Sequence, residues 1–566
     1  MRRLPGLVLL AGCAASYAAP TADDPPQIDK QIAGLPPAKL GPAAGLDKAI
    51  TTYYSTQRGQ RTYIQTDKPL YQPGETIWFR ADLRTAKTLV GDQPVGVTLQ
   101  LISPRGAIIA TKRVLAQGGI ARNDFALDAS IEGGEYTIQL SAPGATDQKK
   151  IIVNTYEAPR LMKTLEMLRK AYGAGDAGTA ALEIKRTTGE PFANKQVTAV
   201  VTIDDAEVSR TQVTTDAAGK ATVKFQLPAK MTRGDGLLTV MAEDGGVTES
   251  IQKRIPIVMT TLNLALYPEG GELVQGVPGR VYFAAKTTIG KPADIEGNVR
   301  DDRGNVVSTF RSIHDGMGSF EIQPAANRTY TVEITKPTNI TTKLAVPAAK
   351  NDGCVLRAVD KSLASRLASS ASNPDQLRIA AICASAQTVA IEATLRENRL
   401  AGGSFQVEAG VPALIVLPVP RTSQGAVRVT LFDDKRMPLS ERLVYHGLGA
   451  NLKVTLTADK KAYAPRDTVK LKVKTADAKG NPVKANVALA VVDDTVLSFA
   501  DDKSAKILAH LSLAPELGAT AQDPIEEPNY YFSDKPDAAA AMDALLATRG
   551  YRKFEWRQVL PAGASR

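Results

Sequence analysis

"TYIQTDKPLYQPGETIWFR" occupies residues 62–80, and the rest of the chain is read outward from it. Tyr63, Ile64 and Gln65 form an extended run. Pro69 has no N–H and fixes its own φ, so strand pairing pauses there. Pro73-Gly74 is a turn signal: proline presets the first central position and glycine supplies the positive φ at the second. From Thr76 onward Ile77, Phe79, Ala81 and Leu83 fall on one side, and Thr76, Trp78, Arg80 and Asp82 on the other. The pattern predicts an edge element, a tight turn and a long strand of a β-sandwich.

A worn copy, "TADKKAYAPRDTVKLKV", returns at residues 457–473. Asp67-Lys68 matches Asp459-Lys460, Tyr71 matches Tyr463, Pro73 matches Pro465 and Thr76 matches Thr468, all at one offset of 392. Arg466 replaces the turn glycine, so the second copy is expected to fit the same turn poorly. Two sandwiches of one type thus bracket an array.

The chain between them reads as all-β. Runs such as "YTIQL", "VTAVVTI", "GRVYFAAKT" and "TVAIEATL" are separated by Gly, Asp, Asn and Pro turns at sandwich spacing. The 566 residues suit several domains of about 100 residues each. The expected units are 60–156, 157–258, 259–350, 351–448 and 449–566. Residues 14–59, rich in Pro and Ala, read as a linker that as a flexible coil spans roughly 40 Å. Net charge is +10, from 69 Lys plus Arg against 59 Asp plus Glu. The basic residues are scattered and not interleaved with aromatics, which argues against a nucleic-acid partner.

The start, "MRRLPGLVLLAGC", carries two arginines, a short apolar run and small residues, the pattern of an export signal. Leu10-Ala11-Gly12-Cys13 resembles the bacterial lipobox, which implies residues 1–13 as signal with lipid attachment at Cys13. Cleavage farther on, near "SYAA", is the alternative. Cys354 and Cys383 either pair in an oxidising compartment or stand as two buried free thiols.

Thr66, Asp67, Lys68, Tyr71, Pro73, Gly74, Thr76, Phe79 and Arg80 together resemble the opening motif of the second macroglobulin domain in the α2-macroglobulin and complement family. Residues 266–297, 314–324 and 427–445 resemble other sandwiches of bacterial members. The resemblance implies a tandem array of about five macroglobulin-type, immunoglobulin-like β-sandwiches with a short C-terminal helical segment. In that segment Ser533 or Asp534 is the expected cap, Pro536 suits the first turn and Gly550 the end.

Chemistry is sparse. His314, His446 and His510 fall in different units, and no HExxH, CxxC or GxSxG occurs. No catalytic residue, metal ligand or cofactor is expected. The Asp pairs at 204, 301, 433 and 501 read as turn stabilisers, without calcium-loop spacing. None of the three cysteines stands in the Cys-Gly-Glu-Gln setting that carries the family's thioester, so the resemblance is to a short form without that domain. A protease-cleavable bait is the family's other device, and residues 498–528 are the one bait-like stretch. The apolar spacing there favours an amphipathic helix over 503–517 instead.

The family resemblance implies a non-enzymatic, envelope-anchored protein of the protease-binding, endopeptidase-inhibitor type, acting without thioester capture. Its partners would be proteases or envelope proteins, with the membrane reached through the lipid anchor. It would be exported, as a periplasmic or outer-membrane lipoprotein of a Gram-negative bacterium. The alternative rests on residues 525–556, which resemble envelope proteins in which a TonB-receptor plug domain follows. It is a structural or interaction module accessory to a TonB-dependent outer-membrane uptake system.

Overall fold

Alternation along residues 60–153 builds the first sandwich. In the computed structural model its strands are β1 Gln60–Thr66, β2 Leu70–Tyr71, β3 Thr76–Thr85, β4 Val95–Ile102, β5 Ile108–Ala116, β6 Ile120–Ala126, β7 Gly134–Ala142 and β8 Ala145–Val153. One sheet has the order β1-β3-β6 and the other β2-β8-β7-β4-β5. Ile77, Phe79, Ala81 and Leu83 point inward and are buried with Leu99, Phe125 and Ile138, whereas Trp78 faces water. The structure describes residues 27–43, 45–91, 94–155, 159–359, 376–420, 423–448, 452–464, 466–477, 479–492, 496, 506–520, 523–551 and 554–559. Cys13 lies outside them, as does residue 465.

Three more sandwiches follow. The second pairs a three-stranded with a four-stranded sheet between Leu161 and Ile255. The third is a single seven-stranded sheet, from Asn263–Pro268 to Lys343–Ala345, that closes on its own core. The fourth sets Cys354–Ala358, Gln376–Cys383 and Ala413–Pro418 against a four-stranded sheet ending at His446. Cys354 and Cys383 sit opposite each other in that register and are joined in a disulfide.

Residues 27–59 are not a free linker. They form helices α1 (Gln27–Ala33) and α2 (Leu46–Ser55). Ile32 packs on Val359, Ala380 and Leu414 of the fourth sandwich, and Leu46, Ile50 and Tyr54 pack with Phe432 and Trp556. Between the helices, Pro37 bridges Leu414 and Gly41 bridges Ser404. Apolar side chains four residues apart give each helix one stripe, and burying that stripe outweighs the flanking prolines and glycines.

After the fourth sandwich the described residues form an antiparallel hairpin of Lys453–Ala458 and Leu471–Ala476, followed by residues 479–492, in which Pro482 bridges back to Ala476. Both strands are largely exposed. The sequence pattern assigns residues 506–559 to this same unit. They pack elsewhere: α3 (Ile507–Ser512) lies beside β1, and α4 (Ala538–Arg549) lies on the third and fourth sandwiches, with Met542, Leu545 and Leu546 buried against Tyr282, Met317, Leu443 and Tyr445. The cap of α4 is Asp537, later than Ser533 or Asp534. Gly550 does end the helix, but with an ordinary negative φ. It is small because a Cβ there would meet Leu443 Cδ1 at 2.4 Å.

Candidate functional site

Two features gather the polar side chains: the repeated opening motif, whose bonds are local, and a buried charge cluster that joins residues far apart in sequence. In the first copy the Tyr71 hydroxyl donates to Asp67 Oδ1 at 2.5 Å and accepts from the Lys68 amide at 3.3 Å. Asp67 Oδ1 also accepts the Trp78 amide at 3.0 Å, and the Asp67 amide returns a bond to Trp78 O at 3.1 Å. Lys68 Nζ lies 2.6 Å from Glu75 Oε2, which also accepts the Gln72 amide. Thr66 Oγ1 donates to Lys68 O, spanning the break before Pro69. Gln72 to Glu75, with Pro73 at the first central position, close the turn through the Glu75 amide, and Gly74 takes φ +86°. Burial, and then the Asp67 carboxylate, push the Tyr71 phenol far up, so it stays a donor.

The remaining motif residues pin the strand that leaves this turn. Thr76 opens β3 opposite Ala126. Phe79 stacks obliquely on Phe125 at 5.2 Å. Arg80 makes a two-pronged ion pair with buried Asp82, at 2.7 and 2.8 Å. Every motif residue thus serves the structure, and together they fix one loop, one turn and one strand.

The copy at 457–473 rebuilds the network except for the Thr66 hydroxyl bond, since Ala458 stands at that position. Tyr463 donates to Asp459 Oδ1 at 2.6 Å and accepts the Lys460 amide at 3.1 Å. Asp459 Oδ1 accepts the Lys470 amide, and Lys460 Nζ pairs with Asp467. The Asp467 amide closes the turn on Ala464 O, and Arg466 is held at φ +73°, the left-handed conformation that makes the fit poorer than with glycine. Sequence reading missed a third copy, 101 residues after the first. There Tyr172 accepts the Arg169 amide at 3.2 Å, Gly173 donates to Asp176, and Gly175 takes φ +78°. In all three, the cation of the Lys or Arg lies 5.1–5.5 Å from the tyrosine ring centre. A further 101 residues on, the Glu269 to Arg280 backbone bond, the turn bond from the Val277 amide to Val274 O and Gly276, with φ +74°, remain. Leu168 in place of Asp67 hides the third copy from a motif search, and Leu273 in place of Tyr71 hides the last.

The charge cluster holds the array together. Asp29 of α1 pairs with Arg357 at 2.5 Å and with Arg280 at 2.6 Å. Glu321 bridges the same two arginines at 2.7 and 2.9 Å. Farther along, Arg442 contacts Glu269 at 3.0 Å, Asp543 of α4 at 2.5 Å and the Tyr282 hydroxyl at 3.0 Å. Arg357 is 0% exposed. Burial alone would raise the Asp29 carboxyl, but Arg280 and Arg357 overcome it and hold the pKa below the ordinary value. The cluster joins α1, the third and fourth sandwiches and α4.

The Asp pairs at 204, 301 and 433 do bind turn amides: Asp204 accepts Thr232, Asp301 accepts Asn305 and Asp433 accepts Met437. The pair at 501 lies outside the described residues. Among the described residues no group of three or more His, Cys, Asp or Glu is placed to hold a metal. Within the bait-like stretch, α3 and the single turn Pro515–Leu517 replace the longer helix expected over 503–517. Leu513 and Leu517 are fully buried, so this part is core and not an exposed loop.

The MG2 domain family matches residues 61–153, the first sandwich with its opening motif. Residues 61–153 thus match a macroglobulin domain, and the chain is similar to bacterial α2-macroglobulins. The alpha-2-macroglobulin of Ralstonia nicotianae is 25% identical over 223 residues, covering 36% of this chain and 14% of the relative. The chain therefore spans a small part of that protein's length. Trypsin-activated alpha-2-macroglobulin from Escherichia coli aligns over 78% of this chain and 34% of its own, at 14% identity and a TM-score of 0.43. Salmonella alpha-2-macroglobulin reacted with methylamine aligns over 84% and 34%, at 13% identity and a TM-score of 0.34.

Proposed function

We propose that this protein is a non-enzymatic, envelope-anchored macroglobulin-type protein that binds proteases through its sandwich array, without covalent capture. The observation that carries the reading is the MG2-type sandwich at 61–153 with its opening motif intact. Cys354 and Cys383 are bonded to each other and buried, so neither offers a thiol for a thioester. The envelope anchor rests on Leu10-Ala11-Gly12-Cys13. With residues 507–517 packed as core, obstruction by the array is the better-supported mode than bait cleavage there.

The test is incubation of the full chain with a general protease, reading cleavage of a large and a small substrate, then denaturing gels. Slowed cleavage of the large substrate, reversible on dilution and unchanged by methylamine, is the expected result. A protease-linked band that survives boiling and disappears after methylamine would overturn the non-covalent mechanism. Undisturbed cleavage of both substrates would overturn protease binding. A second reading, an interaction module of the envelope accessory to a TonB-dependent uptake system, is favoured by one observation. The unit after residue 452 leaves an apolar row exposed.

A further inference from the structure

The hairpin of Lys453–Ala458 and Leu471–Ala476 repeats the β1–β3 pair of the first sandwich in the same register. Ile64 faces Ala81 there, and Leu456 faces Val473 here. In the first sandwich β3 is a central strand, with β1 on one side and β6 antiparallel on the other. In the hairpin's sheet the Leu471–Ala476 strand has one neighbouring strand. Its second edge is taken only at the C-terminal end, where Thr475 O accepts the Val483 amide and Ala476 bridges Pro482; along residues 471–474 no described residue pairs with it. Its inward row is uncovered as well: Val469, Leu471 and Val473 are 51%, 36% and 40% exposed, against 0%, 5% and 0% for Ile77, Phe79 and Ala81. The following segment leaves Leu489 and Val491 exposed too.

The outward row says what fits. Lys470, Lys472 and Lys474 alternate along the open strand. On the paired strand the residues opposite Lys472 and Lys474 are Thr457 and Thr455, and no carboxylate among the described residues forms an ion pair with any of the three lysines. Like charges two residues apart repel, and cross-strand partners of opposite sign relieve that. An open edge with unpaired N–H and C=O groups is also a template for another strand.

We propose that this open edge takes an extended segment of a separate polypeptide in which apolar residues alternate with aspartate or glutamate, added as an antiparallel strand where β6 stands in the first sandwich. Its apolar residues extend the row of Val469, Leu471 and Val473, and its carboxylates meet the three lysines. The inference goes beyond protease binding and does not depend on it.

The experiment uses the full chain with three synthetic peptides: valine alternating with glutamate, valine alternating with lysine, and the glutamate peptide with a central proline. Fluorescence anisotropy at low and high salt reads binding, and hydrogen exchange reads the Leu471–Ala476 amides. The glutamate peptide is expected to bind about tenfold or more tighter than the lysine peptide, as three cross-strand charge pairs would give, to weaken with salt, and to protect those amides. The proline peptide, which lacks a central N–H for the ladder, should bind more weakly than its parent. The triple variant K470E/K472E/K474E, at exposed positions, should invert the preference while unfolding like the parent. Three outcomes overturn the proposal. Neither peptide binds, in which case the lysines only guard an edge. Both peptides bind equally and without salt dependence. Or the chain alone sediments as a dimer with the strand already protected, in which case a second copy covers the edge.

Discussion

The first sandwich and the hairpin after residue 452 carry the same loop and strand register, yet among the described residues only the first has a closed core. Tyr71 is 0% exposed beneath two sheets, whereas its counterpart Tyr463 makes the same two hydroxyl bonds with far less cover. The difference separates two causes of structure. The Asp-Lys-x-x-Tyr network and its turn are local: every partner lies within eleven residues. The core is not local, because β6, β7 and β8 must come from farther along the chain. Local bonding therefore sets the shape of the motif, and long-range strands decide whether that shape becomes a closed sandwich.

The comparison breaks most sharply at the tyrosines. Tyr71→Ala should destabilise the first sandwich by about 3–5 kcal/mol, the range for deleting a large buried aromatic. Hydrogen exchange of β1 and β3 amides reads that effect locally. Tyr463→Ala should leave the exchange of every closed sandwich unchanged. Comparable losses at both sites would mean that the hairpin is closed in solution.

A second contrast concerns what covers an exposed face. Helix α1 closes the fourth sandwich through Asp29, whereas no described segment does this for the hairpin. Asp29→Ala leaves Arg357 buried without that partner and should cost about 3–5 kcal/mol of α1 docking. Limited proteolysis of residues 27–45 measures it. Acid should act in the same direction. Because the folded pKa of Asp29 is depressed below 3.8, its contribution is fully present above that value. It is lost as pH falls through the lowered folded value. Docking that weakens instead as pH rises from about 5 to about 7 would contradict this assignment.

Smaller effects sharpen the comparison at the turns. Gly74→Val forces a branched residue into a positive φ and should destabilise the first sandwich by about 1–3 kcal/mol. Arg466→Gly works the other way: it relieves left-handed strain but adds unfolded-state freedom. The net should be a gain of about 0.5–1 kcal/mol for the hairpin alone. Exchange of the Lys470 amide, which bonds to Asp459, is the local probe.

What can be read from the sequence follows the same division. The opening motif, its turn and the alternation of β3 are legible because each rests on residues close in sequence. The pairing of Cys354 with Cys383 is not, since only the strand register brings the two together. The helices in residues 27–59 are hidden by composition, although Leu46, Ile50 and Tyr54 stand at helical spacing. The copy at Tyr172 is hidden by one substitution, Leu168 for the aspartate. Asp29, Arg357 and Arg442 cannot be linked from sequence, because their partners sit on different units. The one signal for them is the presence of charges within otherwise apolar strands such as "CVLRA".

The most direct measurement is hydrogen exchange of the full chain alone, comparing β3 with the Leu471–Ala476 strand in one sample. A closed first sandwich and an open hairpin should differ by about a hundredfold or more in protection, the gap between global and local opening. Protection of Leu471–Ala476 equal to that of β3 would mean that the last unit has a buried core, and would contradict the open half-sandwich.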